Sequence, residues 1–331
     1  MNEILKYDMS QTDNKLNDKK TFLNKCFFKP EPKPYIPDPN KPHIIIHKGI
    51  EGFADRLQVL SNSMEYAKLN SAYLSVDWSD YWFNDDFYYY FEVLGLKTIK
   101  PDEITWDNKT YFPDIPLEEA KEPITKENYN KGDPKRLYLS GCLLKRDYDI
   151  LINHGATVRQ QNNENLIRGL RFTPALKDVI SAVIKKLNIL GPNSFPLIHL
   201  RGTDRRYGKK IDDILFPIRK QIKKHNYKKC YCVYDDVALY NRLKDFIEIL
   251  PIEHEYTKKI DSVDGSHAQV LKNKRGFNID MLLDFCLIAS ASKFHSCSAK
   301  SYFNNVARSI HAIHPLAIFA WFARDARTAH N

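Results

Sequence analysis

The stretch His43-Ile44-Ile45-Ile46-His47-Lys48-Gly49-Ile50-Glu51-Gly52-Phe53 decides the fold. Residues 43–47 are a short β-branched apolar run bounded by polar residues, the pattern of a buried strand. A glycine-bearing loop follows. From Phe53 the period changes: Phe53, Leu57, Leu60, Met64 and Ala67 recur at spacings of 4, 3, 4 and 3, which places them on one helical face. Ser71 to Asp77 reads as a second strand. Strand, glycine loop, helix and strand make a βαβ unit, whose two strands must run parallel because the helix carries the chain back.

The same rhythm extends outward. A strand is expected at Arg136–Ser140 and an amphipathic helix at about Pro174–Leu187. Gly191-Pro192-Asn193 turns the chain. Beyond it, Phe195–Leu200 and Cys230–Tyr234 read as strands. A basic helix follows from about Asp212, and another helix buries Leu239, Leu243, Phe246, Ile247 and Leu250. Ile279–Ala289 is an apolar helix, Lys293–Ser296 a short strand and Ser298–Ile310 a closing helix. Alternation of this kind predicts an α/β fold with parallel sheets covered on both faces. The aromatic, acidic segment 78–130 follows no clear period and is open to two readings, a lid or acceptor-side insertion and aromatic packing under a long loop.

At 331 residues the chain is long enough for two domains of about 100–200 residues each. We expect a Pro-rich polar arm at 1–40, an N-terminal α/β domain at 41–190 and a C-terminal Rossmann-like domain at 191–331. Hydrophobic residues at 43% exclude a disordered or collagen-like chain. The net charge of +9 is unevenly spread: residues 41–130 carry 9 basic and 16 acidic side chains, whereas residues 131–331 carry 34 and 19. The basic half should face an anion. The N-terminus lacks the apolar core of a signal peptide and no run is long enough to span a bilayer, so a cytoplasmic protein is expected. Six cysteines then read as free thiols rather than a disulfide framework.

In open parallel sheets, ligands sit at the carboxyl ends of strands. Four polar clusters fall there: the Gly49–Arg56 loop with Glu51, Gly52, Phe53 and Asp55; His199, Arg201, Thr203 and Asp204; Asp235 and Asp236; and Ser296, Ser298, Lys300 and Ser301. Arg201 either grips a diphosphate through paired hydrogen bonds or pairs with Asp204 or Asp235 to hold its loop. The Ser296–Ser301 turn either binds phosphate oxygens or supplies a helix cap at Ser298. Glu51 is either a general base or a solvent-facing charge. No GxxxxGK[ST] motif is present, and no Cys/His set has zinc spacing.

These clusters carry a resemblance. His199-Leu200-Arg201-Gly202-Thr203-Asp204 resembles the His-x-Arg-Arg-(Gly/Thr)-Asp motif of fucosyltransferases. Gly49 to Arg56 is similar to the first glycine motif of protein O-fucosyltransferases, Val233-Tyr234-Asp235-Asp236 to an Ala-Thr-Asp-Asp motif, and Asp284 to Ser301 to the closing helix–strand–serine motif. The motifs occur in family order over about 43–310. Gly202 departs from the family's second arginine, and Cys297 and Ala299 interrupt the serines.

The resemblance implies a GT-B-like fold, two Rossmann-type domains facing a cleft. It implies an inverting, metal-independent transfer of fucose from GDP-fucose to a hydroxyl of a glycan or protein acceptor. Arg201 would hold the β-phosphate. His199 and Asp284 would lie by the guanine or ribose, and Asp235 and Asp236 would line the nucleotide pocket. Ser296, Ser298, Lys300 and Ser301 would meet the diphosphate, with Gly49, Gly52, Phe53, Thr203 and Asp204 completing the site and Glu51 as the base. No nucleic-acid partner is expected, since no nucleic-acid-binding module is recognisable. The competing expectations are another nucleotide-sugar donor, a basic nucleic-acid-binding protein, and a peripheral membrane protein using the basic surface or Trp321-Phe322.

Overall fold

The computed structural model describes residues 43–49, 52–112, 117–123, 148–153, 163–191, 193–202, 208–252, 254, 274–298 and 301–322. The N-terminal arm, the strand expected at 136–140, Glu51, Thr203, Asp204 and Lys300 lie outside them.

The opening unit forms as its pattern dictates. Strand β1 (Ile44–Lys48), helix α1 (Phe53–Asn70) and strand β2 (Tyr73–Asp77) make a parallel βαβ element. All five residues of the predicted helical face are buried. The helix stops at Ser71, whose left-handed backbone lets its amide bond back to the Ala67 carbonyl. β4 (Tyr111–Phe112) and β5 (Ile150–Asn153) complete a parallel sheet of order β2-β1-β5-β4. Because β1 is central, it is apolar on both faces. Ile45 packs into the main core on the α1 side. Ile44 and Ile46 pack with Ile104, Ala120, Ile150 and Ile152 on the other. Each such fully buried side chain contributes roughly 1.5–3 kcal/mol.

The aromatic residues at the start of this segment are core: Trp78, Phe83, Phe87, Tyr90 and Phe91 are buried. Asp86 caps helix α2 (Phe87–Tyr90), and β3 (Phe91–Val93) follows at once. Phe83 and Phe87 meet the buried Trp78 ring edge-on at 4.7 and 4.8 Å. β3 pairs antiparallel with β6 (Leu170–Phe172). α3 (Leu117–Lys121) lies elsewhere, its Ala120 packing with Ile44 and Ile46 of β1, whereas α4 (Glu164–Gly169) leads into β6 and packs on it. Helix α5 (Pro174–Leu187) takes the predicted bounds and buries Leu176, Ile180, Ile184 and Leu187.

The second half repeats the pattern with β7 (Leu197–Leu200), α6 (Ile211–His225), β8 (Lys229–Tyr234), α7 (Val237–Lys244), β9 (Glu248–Leu250), α8 (Lys274–Ser290), β10 (Phe294–Ser296) and α9 (Tyr302–Ile313). Its sheet is parallel in the order β10-β7-β8-β9. Two expectations are corrected here. The helix through Leu239 and Leu243 ends at Lys244, and Ile249 and Leu250 belong to β9, an edge strand paired parallel with β8. The closing helix begins at Tyr302, capped by Ser301 rather than Ser298.

The last described elements return to the first half. α9 packs on α1, and the 3₁₀ turn Ala317–Phe322 packs on α4 and β6. Trp321 and Phe322 are therefore core residues, 0% and 7% exposed. The Trp321 indole donates to the Leu166 carbonyl at 3.0 Å. A membrane contact through this pair is thus overturned. Among the described residues no helix is long and apolar enough to cross a membrane.

A second tie joins α8 to the loop before α2. The Arg275 guanidinium donates to both Asp85 oxygens at 2.6 and 2.8 Å, and the Tyr90 hydroxyl donates to the same carboxylate. Burial works to raise the Asp85 carboxyl. Arg275, Tyr90 and the Asp86 amide outweigh it and hold the group below the usual carboxylate range. A carboxyl depressed in the folded state contributes stability above its unfolded value, about 3.9, and loses it as pH falls through the folded value. Stability measured by urea unfolding should therefore fall more steeply with acid below about pH 4 in the parent chain than in Asp85→Asn. Equal slopes would mean that this clamp contributes nothing.

Candidate active site

The first sheet's carboxyl edge is built around a buried arginine. Arg56, in the first turn of α1, is 1% exposed. Its guanidinium donates to the Gly49 carbonyl at 3.0 Å and to both oxygens of Asp80 at 2.6 and 2.8 Å. Asp80 in turn accepts the Trp82 amide. The glycine loop after β1 and the loop after β2 are thereby stapled together. Gly49 is a glycine for a local reason, since a Cβ there would come within 2.9 Å of the Arg56 side chain. Gly52 precedes α1 in an extended conformation with room around it. Phe53 packs its ring into the core against Phe285 and Trp78, at 5.1 and 6.1 Å. Lys274, at the start of α8, lies near this staple. Burial and the Arg56 guanidinium push its ammonium down to about 8, against the pull of Asp80.

The second sheet's carboxyl edge gathers the described members of three of the predicted clusters. β7 lies between β10 and β8, so Ser296 is in register with His199, and Leu200 with Tyr234. The segments leaving these strands then interlock. The Cys297 amide donates to the His199 carbonyl at 3.2 Å, and the Gly202 amide donates to the Asp235 carboxylate at 2.8 Å. The Cys297 thiol points at the Arg201 carbonyl at 3.6 Å, and burial pushes that thiol up to about 11. His199 is buried, whereas Arg201, Asp235, Ser296 and Ser298 are half-buried at the edge. Asp236 is fully buried and caps α7 by accepting the Leu239 amide at 3.0 Å. Ser296 accepts both the Ser298 amide and the Asn304 side-chain amide. Ser301 caps α9, which brings the amino end of that helix to the same edge.

Gly202, the residue that departs from the fucosyltransferase motif, has a steric cause. A Cβ there would come within 2.5 Å of Leu239 and closer still to the Asp236 carboxylate. The arginine of the motif has no room in this packing. Gly202→Ala should cost about 1–3 kcal/mol by overpacking, read as a lower midpoint in urea. Unchanged stability would show that α7 shifts freely.

Asp284 on α8 makes a 2.6 Å contact with the His254 ring. The carboxylate's field also helps raise the Tyr234 phenol, after burial, which puts Asp284 near the end of β8. His254, Asp80 and Lys274 went unnoticed in the sequence. Each acts through a partner far along the chain, and no spacing signals it. Among the described residues no three His, Cys, Asp or Glu side chains gather as metal ligands.

No family model matches the chain, and no curated protein matches it. Solved structures do. The NodZ alpha-1,6-fucosyltransferase soaked with GDP-fucose is similar with a TM-score of 0.58 at 17% identity, over 81% of this chain and 92% of that one. The fucosyltransferase NodZ from Bradyrhizobium gives 0.59 at 16%, over 81% and 93%. The apo form of POFUT1 gives 0.47 at 12%, over 84% and 97%. The likeness to NodZ shows the fold: two parallel sheets in a GT-B-like α/β arrangement, as the sequence predicts.

Proposed function

We propose that the protein is an inverting, metal-independent glycosyltransferase that moves fucose from GDP-fucose to a hydroxyl of a glycan or protein acceptor. The observation that carries this reading is the meeting of Arg201, Asp235, Ser296 and Ser298 at one sheet edge, beside the amino end of α9. The shared fold with NodZ, whose structure was soaked with GDP-fucose, supports the donor. Residues 191–331 form the donor side and residues 41–190 the acceptor side.

The chemistry follows from charge. The acceptor oxygen forms a bond to the anomeric carbon while the bond from that carbon to the β-phosphate oxygen breaks. The departing GDP keeps the electron pair, and negative charge grows on the diphosphate. Fixed donors aimed at that charge lower the barrier without reorganising. Arg201 supplies a guanidinium, Ser298 and Lys300 their polar groups, and α9, whose start the buried Ser301 caps, the amides of its first turn. His199, Asp284 and Asp235 hold the nucleoside, and buried Asp236 positions its loop. The acceptor hydroxyl's proton goes to a carboxylate on the opposite side of the sugar, for which Glu51 is our assignment.

Thermal shift with GDP, UDP and ADP tests the donor. A ligand at 100 times its dissociation constant stabilises by about 2.7 kcal/mol, and only GDP should do so. Stabilisation by UDP or ADP instead would reassign the donor, and no shift with any nucleotide would remove the reading.

A further inference from the structure

A cavity of about 310 Å³ opens at the carboxyl edge of the first sheet, away from the donor cluster. Ile46 and Ile104 line its apolar part. Its polar wall is Lys48, Asp77, Asp102 and Lys121, and Trp106 closes one side. Lys48 and Asp77 are the last residues of β1 and β2 and are in register with each other. Lys48 is 2% exposed, its ammonium 3.5 Å from the Asp77 carboxylate and donating to the Ala120 carbonyl at 3.0 Å. A buried ion pair generally contributes little stability compared with apolar packing, so its presence at the base of an open cavity calls for another reason. Asp102 and Lys121 stand exposed at the rim. Trp106 is half-buried and held edge-on by Tyr111 at 5.7 Å.

The lining decides the ligand class. Two lysines and two aspartates cancel, so the cavity has no net charge to draw in a phosphate or nucleotide. Carboxylates accept hydrogen bonds from hydroxyls, and ammonium groups donate to them. The Trp106 indole in the same lining adds apolar surface, so the cavity suits a ligand with an apolar face and a hydroxylated rim. The volume is at the lower end for small-molecule sites, enough for one or two sugar rings. We propose that this cavity binds a neutral pyranose unit of a glycan. Taken with the glycosyltransferase reading, on which this last step rests, it is an acceptor subsite, and Lys48 directly precedes the Gly49 loop. The acceptor is thereby narrowed to a saccharide.

The test uses the full chain, with methyl β-D-glucopyranoside, cellobiose and N,N′-diacetylchitobiose as probes. Binding is followed by tryptophan fluorescence and by saturation-transfer NMR. At least one probe should bind saturably, with affinity weakened about tenfold or more in Trp106→Ala and in Asp102→Asn. Asp102 is exposed, so its variant keeps the test valid if Trp106→Ala unfolds, which circular dichroism would reveal. Glucose 1-phosphate should bind no more tightly than the neutral glucoside. Absence of binding by all three probes, unchanged affinity in a folded variant, or preference for the phosphate overturns the proposal. GDP thermal shift on the same samples separates the two readings. A GDP response without saccharide binding leaves the donor assignment standing and removes the subsite. Saccharide binding without a GDP response keeps the pyranose site but removes both the donor assignment and the acceptor role built on it.

Discussion

If the protein transfers fucose as proposed, replacing Arg201 by alanine should lower the transfer by about 10²–10³, the usual loss when one fixed donor to a developing negative charge is removed. The side chain is half-buried at the edge of β7. The backbone contacts that hold its loop, from the Gly202 amide to Asp235 and from the Cys297 thiol to the Arg201 carbonyl, do not need the guanidinium. The fold should therefore survive, and the loss should appear in turnover and in GDP-fucose hydrolysis alike. Arg201→Lys keeps the charge without the fork that matches two phosphate oxygens, so its activity should lie between the two. Near-normal turnover in Arg201→Ala, measured as GDP release with GDP-fucose, would remove Arg201 from the donor site.

The largest stability effect belongs to Arg56. Arg56→Met leaves the Asp80 carboxylate buried without its bidentate partner, a loss of about 3–5 kcal/mol. Both side chains are 1% exposed, so water cannot take the place of the guanidinium. The double variant Arg56→Met/Asp80→Leu removes the stranded charge and should be more stable than Arg56→Met alone. Urea unfolding of the two singles and the double closes a cycle. A coupling near zero would show that the staple between the two loops is energetically idle.

The parts that were legible in the sequence are those where burial alone sets the pattern. The β1–α1–β2 unit declared itself because its period changes from a continuous apolar run to spacings of three and four and back. α5 did so because Pro174 starts it and one face carries its aliphatic residues. α7 was overextended because Ile247 and Leu250 continue the apolar spacing of Leu239 and Leu243 after the backbone has left the helix. β5 escaped notice because Ile150-Leu151-Ile152 is too short to stand out. The choice of Ser301 over Ser298 as a cap was not legible, since both serines could serve and only the bond from the Asn304 amide to the Ser301 hydroxyl shows which one does. Most of the donor-side candidates could be read because they terminate strands. The pairs Arg56–Asp80, Arg275–Asp85 and His254–Asp284 could not, because each joins residues that only the tertiary fold brings together.

One hydrophobic cluster contains Ile45 and Leu74 of the first sheet, Leu197 and Val233 of the second, and Phe285, Ile310 and Trp321 from the elements between and after them. Neither half can be withdrawn without exposing the other's interior. Heat should therefore melt the chain in one calorimetric transition, with no plateau in which one half is folded. Two polypeptides made by dividing the chain near Gly191 should be insoluble or molten apart and should reassemble when expressed together. The carboxyl-terminal segment acts as a latch: truncation before Ala317 should unfold the first sheet's side of the molecule, although every strand of that sheet would still be present.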